Sequence, residues 1–396
     1  MHLDPSPELT EFRARVRAFI ARRSPPTRTH TGVRSPSPAL LPELRAWIAA
    51  LYDEGFLGIE WPAEYGGRPG AHPLEEFIVT EELGRAMAWD QIGAATLAAG
   101  AIIDFGTPEQ KSYFLPRIRS AQDIWCQLFS EPGAGSDLAA LSTRARRDGH
   151  EFVVDGQKVW TTNGHHADLG YLLARTDPDL PRHKGITAFA LDMRTPGVDV
   201  RPLREITGTS DFNEVFLDGV RIPAERVIGE VNDGWRVAMS SLAHERTGVA
   251  ARGAELYRAL DDLVDVAAGA AAPNGEPALE DSGVRQRIGD IACRVRVNDL
   301  MNRLTQSGMV HGRDDPAGAP LGKIFFSETN LALAELGLSL PGPDGLLTEG
   351  DSDAVAGGWW QDAFLYARAY TIAGGANEVL RNVVAERALG LPRDRR

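Results

Sequence analysis

A block of short β-rich runs, residues 122–227, stands between two stretches of helical periodicity, and that segregation limits the architectures open to the chain. Strands alternating with helices would imply a parallel sheet wrapped by helices. Helices, then strands, then helices imply an α+β fold with the elements kept apart. The first stretch shows the helical period at Leu9, Phe12, Val16, Phe19 and Ile20, and again at Leu44, Trp47, Ile48 and Leu51. Between them "RRSPPTRTHTGVRSPSPALLP" (22–42) has the polar, Pro- and Ser-rich composition of a loop. Helical spacing from Pro73 to about Ala121 completes this part. Within the β block, "HEFVVDGQKVWTTNG" sets Asp155-Gly156 between two β-rich runs, a hairpin signal. "GYLLART", "GITAFALDM" and "VDVRPL" read as short strands, and "EVFLDGVRIP" as a further run with Asp218-Gly219 inside it. The spacing predicts a mostly antiparallel β unit. From Asn232 the helical period returns, with one long helix marked by Val237, Leu242, Val249, Leu256 and Leu260. Val284 to Met301 and Leu321 to Leu340 mark two more, before the Gly-rich loop "PGPDGLLTEGDSDAVAGG". A loop of that length in a compact domain is usually functional or mobile. There is no internal repeat.

With 396 residues the chain is long enough for two or three domains. Its formal charge of −13 excludes nucleic acid as the main partner, because a phosphate backbone selects a basic face. The closing "PRDRR" is too short to reverse this. Cys126 and Cys293 are far apart and have no metal-ligand spacing, so no metal is expected, and two free thiols fit a reducing compartment. No apolar run approaches the ~18 residues of a membrane span. The start "MHLDPSPELTEF" lacks a basic segment followed by an apolar one. A cytoplasmic protein is expected.

Four strings have the residue types that chemistry needs. "SEPGAGSD" (Ser130–Asp137) combines little steric bulk with flanking hydroxyls, which suits close approach of a planar or anionic ligand; the alternative is a surface turn. "KVWTTNG" (Lys158–Gly164) sets a Trp beside two Thr, able to stack on and hydrogen-bond to an aromatic group; the alternative is a core Trp. "SLAHERTGVAARG" (Ser241–Gly253) offers His244 or Glu245 as a general base, or simply a solvated face with a local ion pair. "TIAGGANEVLRN" (Thr371–Asn382) is a glycine break in apolar helix, either a turn or a home for Glu378 as a catalytic acid.

In their order and spacing, these strings resemble the acyl-CoA dehydrogenase flavoproteins. The resemblance covers nearly the whole chain, through "WPAEYGG", "WCQLFSEPGAGSDLA", "VDGQKVWTTNG", "NEVFLDGVRIP", the helix with "ER", and "GGANEVLRNVVAERALGLPRD". The form of the ending and of "SEPGAGSDLA" is similar to an actinobacterial-type branch acting on bulky or branched acyl-CoA thioesters. The resemblance implies an N-terminal α-helical domain (1–121), a central antiparallel β-barrel (122–227) and a C-terminal four-helix bundle (228–396). It implies FAD in a cleft between the β domain and the bundle. Gln127, Leu128, Phe129, Ser130, Gly135 and Ser136 would form the loop along the flavin ring, with Ser136 also on the thioester side. Trp160 would pack on the flavin, with Thr161 and Thr162 beside it and Thr162 bonding near N5. Gly342, Gly345, Ala376, Asn377 and Glu378 match cofactor-contacting turns, with Asn377 capping the helix that follows.

The implied reaction is α,β-dehydrogenation of an acyl-CoA thioester: a carboxylate takes the α-proton, flavin N5 accepts the β-hydride, and an electron-transfer flavoprotein collects the electrons. Many members carry the base in a "YEG" triplet, aligned here with Ala373-Gly374-Gly375, so glycine stands where the acid would be. Other members place it on the first bundle helix, one residue before an Arg. Glu245-Arg246 matches that pattern, with Arg246 orienting the carboxylate or lining the substrate site. An "RxxFG" segment common after that helix, whose Arg reaches a neighbour's cofactor, is replaced here by "YRALDDLVDVAAGAAAPNGEPALEDSG". Partners implied are an acyl-CoA or acyl-carrier-protein thioester, an electron-transfer flavoprotein, and a second subunit in a homo- or hetero-oligomer. Two further readings stay open: a structural subunit of a heteromeric dehydrogenase, and an oxidase or hydroxylase on the same fold.

Overall fold

The computed structural model describes residues 6–393 except 252, 273, 274 and 314, and leaves out the side chains of 243–251 and 309. The helices, in chain order, are α1 (Pro7–Arg23), α2 (Leu41–Asp53), α3 (Glu75–Arg85), α4 (Ala95–Phe105), α5 (Pro108–Arg119), α6 (Gly234–Ala251), α7 (Gly253–Gly269), α8 (Ser282–Val310), α9 (Gly318–Ser339), α10 (Trp359–Ile372) and α11 (Asn377–Val383). The strands are β1 (Trp125–Leu128), β2 (Arg144–Asp148), β3 (Glu151–Thr162), β4 (Leu169–Arg175), β5 (Ile186–Asp192), β6 (Val198–Leu203), β7 (Phe212–Pro223) and β8 (Val227–Ile228). The chain divides into two compact units. One holds residues 33–71 and 89–245; the other holds 1–32, 72–88 and 246–396.

In the first unit the strands form one eight-stranded sheet in the order β6-β7-β3-β2-β4-β5-β8, with β1 added on β4. The expected closed antiparallel barrel is corrected in two respects. Among the described residues β6 and β8 form opposite edges and do not pair with each other, so the sheet is open. It is also mixed, because β1 and β2 both run parallel to β4. β1 pairs with Leu169 to Leu172, and β2 touches the same strand only at Arg175. The two strands therefore follow one another along a single edge of β4. Residues 129–143 leave the sheet in the gap between them, which places the "SEPGAGSD" loop.

Asp155-Gly156 is not a hairpin turn, a second correction, whereas Asp218-Gly219 lies inside its run as the sequence predicts. Both lie inside twelve-residue strands that pair with each other, where the register slips between Val154 and Gly156. Asp155 Oδ1 accepts the N–H of Gly219 at 2.8 Å, so the side chain takes a ladder donor that the slip would otherwise strand. The hairpin between β2 and β3 turns instead at Gly149, whose φ of +63° only glycine adopts freely. The sheet core is Leu128, Val154, Leu172, Phe189, Val215 and their neighbours. Helix α5 docks on this unit through its capping box. Thr107 Oγ1 accepts from Gln110 N, Gln110 Oε1 accepts from Thr107 N, and Gln110 Nε2 donates onward to Val227 O at 2.7 Å.

The second unit is helical. α1 buries Leu9, Phe12, Val16 and Phe19, the face the periodicity predicts, and Arg13 and Arg17 on the same helix clamp the buried Glu82 of α3. α9 packs against α7, α8, α10 and α11. Gly337 is the contact point with α10: a Cβ there would sit 2.0 Å from the Trp360 ring. Among the described residues no helix is long and apolar enough to cross a membrane.

Candidate functional site

The loop after β1 folds back on itself. Glu131 and Ala134 exchange both backbone hydrogen bonds at 3.0 Å, leaving Pro132 and Gly133 at the tip. Val159 N donates to Ser130 O at 2.9 Å, which pins the base of the loop to β3. Beneath it lies a buried ion pair. Lys158, on an inward-facing position of β3, is fully buried, and its Nζ donates to Glu131 Oε1 at 2.8 Å and to Phe129 O at 3.0 Å. Glu131 Oε2 accepts from Ser142 N and Oγ, and Oε1 from Thr143 N, so the carboxylate ties both ends of the loop together. Burial opposes the charge on both partners. It pulls Lys158 down to about 8, with Glu131 resisting. For Glu131 the Lys158 charge and the hydrogen bonds outweigh burial and bring the carboxyl down to about 2. Neither residue stands out in the sequence alone, although a lysine at an inward position of an alternating strand signals that a buried carboxylate must meet it.

β3 ends on a second register slip, between Lys158 and Thr161. The extra residue is Trp160, held at φ +58°, where aromatic side chains are rarely found. Its indole is 61% exposed and meets Phe212 edge-on at 5.9 Å. A bulge of this kind re-aims a side chain, and here it turns a large apolar ring out beside the loop base at Ser130. Thr161 is buried, and its Oγ1 has no hydrogen-bond partner among the described residues; Thr162 is half-buried. Gly135 and Ser136 are exposed, and a Cβ at Gly133 or Gly135 would meet nothing within 4 Å. An outward indole, nearby hydroxyls and an uncluttered loop suit a flat ring system laid along this surface. Gln127 and Ser130 are half-buried, but Leu128 and Phe129 are buried, so a ligand would meet Leu128 through its backbone.

Phe129 also begins a column that leads to α6. Its ring packs edge-on against Tyr171 at 4.9 Å, and Tyr171 Oη shares a hydrogen bond of 3.1 Å with Ser241 Oγ on α6. α6 can approach this closely because its first residue is Gly234, where a Cβ would fall 2.6 Å from the β5 backbone. Glu245 follows Ser241 by one helical turn. The side chains of Glu245, Arg246 and His244 lie outside the described residues.

In the helical unit, Ala373, Gly374 and Gly375 are exposed, with Gly374 at φ +66° and Gly375 at φ +95°. The expected cap is corrected. Ala376 is the N-cap of α11 and makes no side-chain bond, whereas Asn377 is the first helical residue. The Asn377 side chain is buried instead, accepting from Lys323 Nζ at 3.0 Å and bonding Ser327. Lys323 Nζ also donates to Gly375 O at 2.7 Å, and burial draws this lysine down to about 8 against the pull of Glu378. Asn377 thus anchors the glycine turn through its side chain, while Glu378 is exposed. Gly342 turns at φ +63°, and Gly345 is a close-packing glycine, its absent Cβ 2.2 Å from Leu338 O.

Family models described as the acyl-CoA dehydrogenase N-terminal, middle and C-terminal domains match residues 6–122, 126–220 and 232–389. The chain belongs to the acyl-CoA dehydrogenase family, whose cofactor is FAD. It is 37% identical over 403 residues to the acyl-CoA dehydrogenase IpdE1 of Mycobacterium tuberculosis, covering 98% of this chain and 99% of that one. It is 43% identical over 356 residues to FadE34 of the same organism, covering 90% of this chain but only 47%, about half, of that relative's length. Among solved structures it is similar to the Tcur3481-Tcur3483 steroid ACAD, with a TM-score of 0.86, 31% identity and 100% of both chains covered.

Proposed function

We propose that this chain dehydrogenates a bulky, polycyclic acyl-CoA thioester between its α and β carbons, with Glu245 as the base that removes the α-proton. The observation that carries the assignment is the Phe129–Tyr171–Ser241 column. It couples the loop base beside Trp160 to the helix face on which Glu245 follows one turn later. Glycine at 374 supports it from the other side, because the family's more common position for the base has no carboxylate here.

The exposed Trp160, with the half-buried Ser130 and Thr162 beside it, fits one face of a flavin ring, which the buried Thr161 could meet only through its backbone. When bound, FAD supplies the acceptor for the β-hydride. The chain's own residues do the rest. Trp160 offers a flat apolar surface, the hydroxyls orient the ring, and the open backbone at Gly135 and Ser136 leaves room for the thioester. A carboxylate base takes the α-proton most readily when its pKa approaches that of the activated α-carbon. Hydrogen bonds to the thioester oxygen stabilise the charge that develops there. Arg246 orients the carboxylate, and an electron-transfer flavoprotein in the cytoplasm receives the electrons. The steroid substrate named for the Tcur3481-Tcur3483 structure supports a polycyclic acyl group.

A second reading rests on residues 257–283, where the cofactor-reaching Arg of many members has no counterpart, and on that structure's two-part name. In this reading the chain is one half of a heteromeric enzyme. The absorbance spectrum of the purified protein decides. A yellow protein bleached by a steroid-side-chain acyl-CoA, and not by butyryl-CoA, is the expected result. A colourless chain that bleaches only after a partner is added would favour the heteromer. Bleaching by short esters alone would remove the bulky substrate. Trp160→Ala is expected to weaken FAD binding at least tenfold, as loss of a stacking surface does, measured by flavin fluorescence on titrating the apoprotein.

A further inference from the structure

Trp160 and Asn163 both sit in the left-handed region, at φ +58° and +56°, within four residues of one strand end. Each such conformation costs about 1–3 kcal/mol and persists only where neighbouring structure over-determines it. Asn213 Nδ2 on β7 donates to Thr161 O at 2.9 Å, and Asp211 O, just before β7, accepts from Asn163 N at 3.1 Å. Glu205 Oε1 accepts from Asp211 N at 2.6 Å and Phe212 N at 2.9 Å, and Thr209 Oγ1 donates to Asp211 Oδ2 at 2.7 Å; a further restraint comes from far away in sequence. Ser35 Oγ donates to Asn163 Oδ1, and Ser35 N donates to Asp211 Oδ1 at 2.6 Å. Arg34 Nη1 reaches Asp211 Oδ2 at 3.2 Å, and both of these charged residues are buried. His166 Nε2 lies 2.9 Å from Pro36 O, closing the far side.

We propose that residues 34–36 are a strap that positions the flavin-facing end of β3, with Ser35 as the positioning residue for Trp160. The inference rests on the flavin reading of Trp160 given above, but its central claim concerns the protein without cofactor. Ser35 touches neither Trp160 nor any ligand-facing atom. It acts by fixing Asn163 and Asp211, and Asp211 leads directly into Phe212, whose ring meets the indole. A buried ion pair and two donated hydrogen bonds on a segment with loop composition are more than loop closure requires.

The test compares Ser35→Ala, Trp160→Phe and the double variant, with Arg221→Ala as control. Arg221 holds exposed pairs to Asp148 and Glu151 at the opposite end of the same β3–β7 ladder, so its loss loosens the ladder without touching the strap. The first readout uses the apoprotein. The near-ultraviolet circular dichroism of Trp160 is taken as the difference between each protein and its Trp160→Phe counterpart. That difference should fall by at least half in the Ser35→Ala background and stay unchanged in Arg221→Ala. An unchanged difference in Ser35→Ala overturns the proposal. The second readout is FAD affinity: about tenfold weaker in Ser35→Ala, with the double variant no weaker than Trp160→Phe alone. Independent, multiplying losses would also overturn it. If the wild-type chain bound no FAD, the flavin reading would fail while the dichroism arm still judged the strap. Should Ser35→Ala fail to fold, Asp211→Asn, which keeps the side chain's shape, carries the same comparisons.

Discussion

Glu245→Gln is expected to lower turnover by about 10³-fold, within the range that a positioned general base contributes. The substitution keeps size and shape and removes only the ability to take a proton, so FAD should stay bound and the visible spectrum of the resting protein should not change. Rapid mixing with the acyl-CoA then shows the resting yellow colour persisting where the wild type bleaches within the mixing experiment. The control is Glu378→Gln. Glu378 is exposed at the start of α11 and lies beside the glycine turn where the family's common base would be. If Glu245 is the base, Glu378→Gln still bleaches once saturated with FAD, because only a cofactor contact has changed and the base is intact. Full bleaching in Glu245→Gln, or loss of bleaching in Glu378→Gln alone, would sink the assignment.

Lys158→Met should cost about 3–5 kcal/mol of stability, because it leaves Glu131 buried without its counter-charge. Urea unfolding of the apoprotein measures this directly. Glu131→Leu in the Lys158→Met background should recover part of the loss, since two apolar groups need no compensation. A double variant as unstable as the single one would show that the pair acts through something other than charge. The acid limb gives an independent check. Glu131 sits near 2 in the folded protein against an ordinary 4.5, so it contributes stability that is complete above about 4.5 and lost as pH falls toward 2. Between those values the unfolded chain binds the proton and the folded one does not, which is the sign for stability rising with pH. Removing Lys158 raises the folded pKa of Glu131, narrows that window and shifts acid unfolding to higher pH.

Much of the architecture was legible because its signals are local. The buried face of α1 is the set of residues its period marks, and "GYLLART", "GITAFALDM" and "VDVRPL" are β4, β5 and β6. Strand direction was not legible. β1 and β2 share one edge of β4, and nothing in either run says so, since parallel pairing depends on what lies between the strands. The Asp155-Gly156 pair misled for a related reason. A bulge inside a ladder and a turn at its end both use a residue at positive φ, and only the partner strand distinguishes them. At the site, Trp160, Ser130 and the flanking hydroxyls were visible as residue types, whereas the contacts holding them were not. Lys158 with Glu131 and Ser35 with Asn163 are pairs separated by 27 and 128 residues, and no local pattern links them.

The distance from Ser35 to Asn163 also bears on how the protein is made. Translation proceeds at roughly 5–20 residues per second, so the strap leaves the ribosome on the order of ten seconds before Asn163 has been synthesised, and Asp211 follows later still. Throughout that interval Asn163 and Asp211, the groups that Arg34 and Ser35 bond in the folded protein, do not yet exist. The segment at 34–36 must stay unengaged while the residues up to Asp211 emerge. The strand end that carries Trp160 can mature only after Asp211 has been made, which places its ordering late in the folding of the β unit.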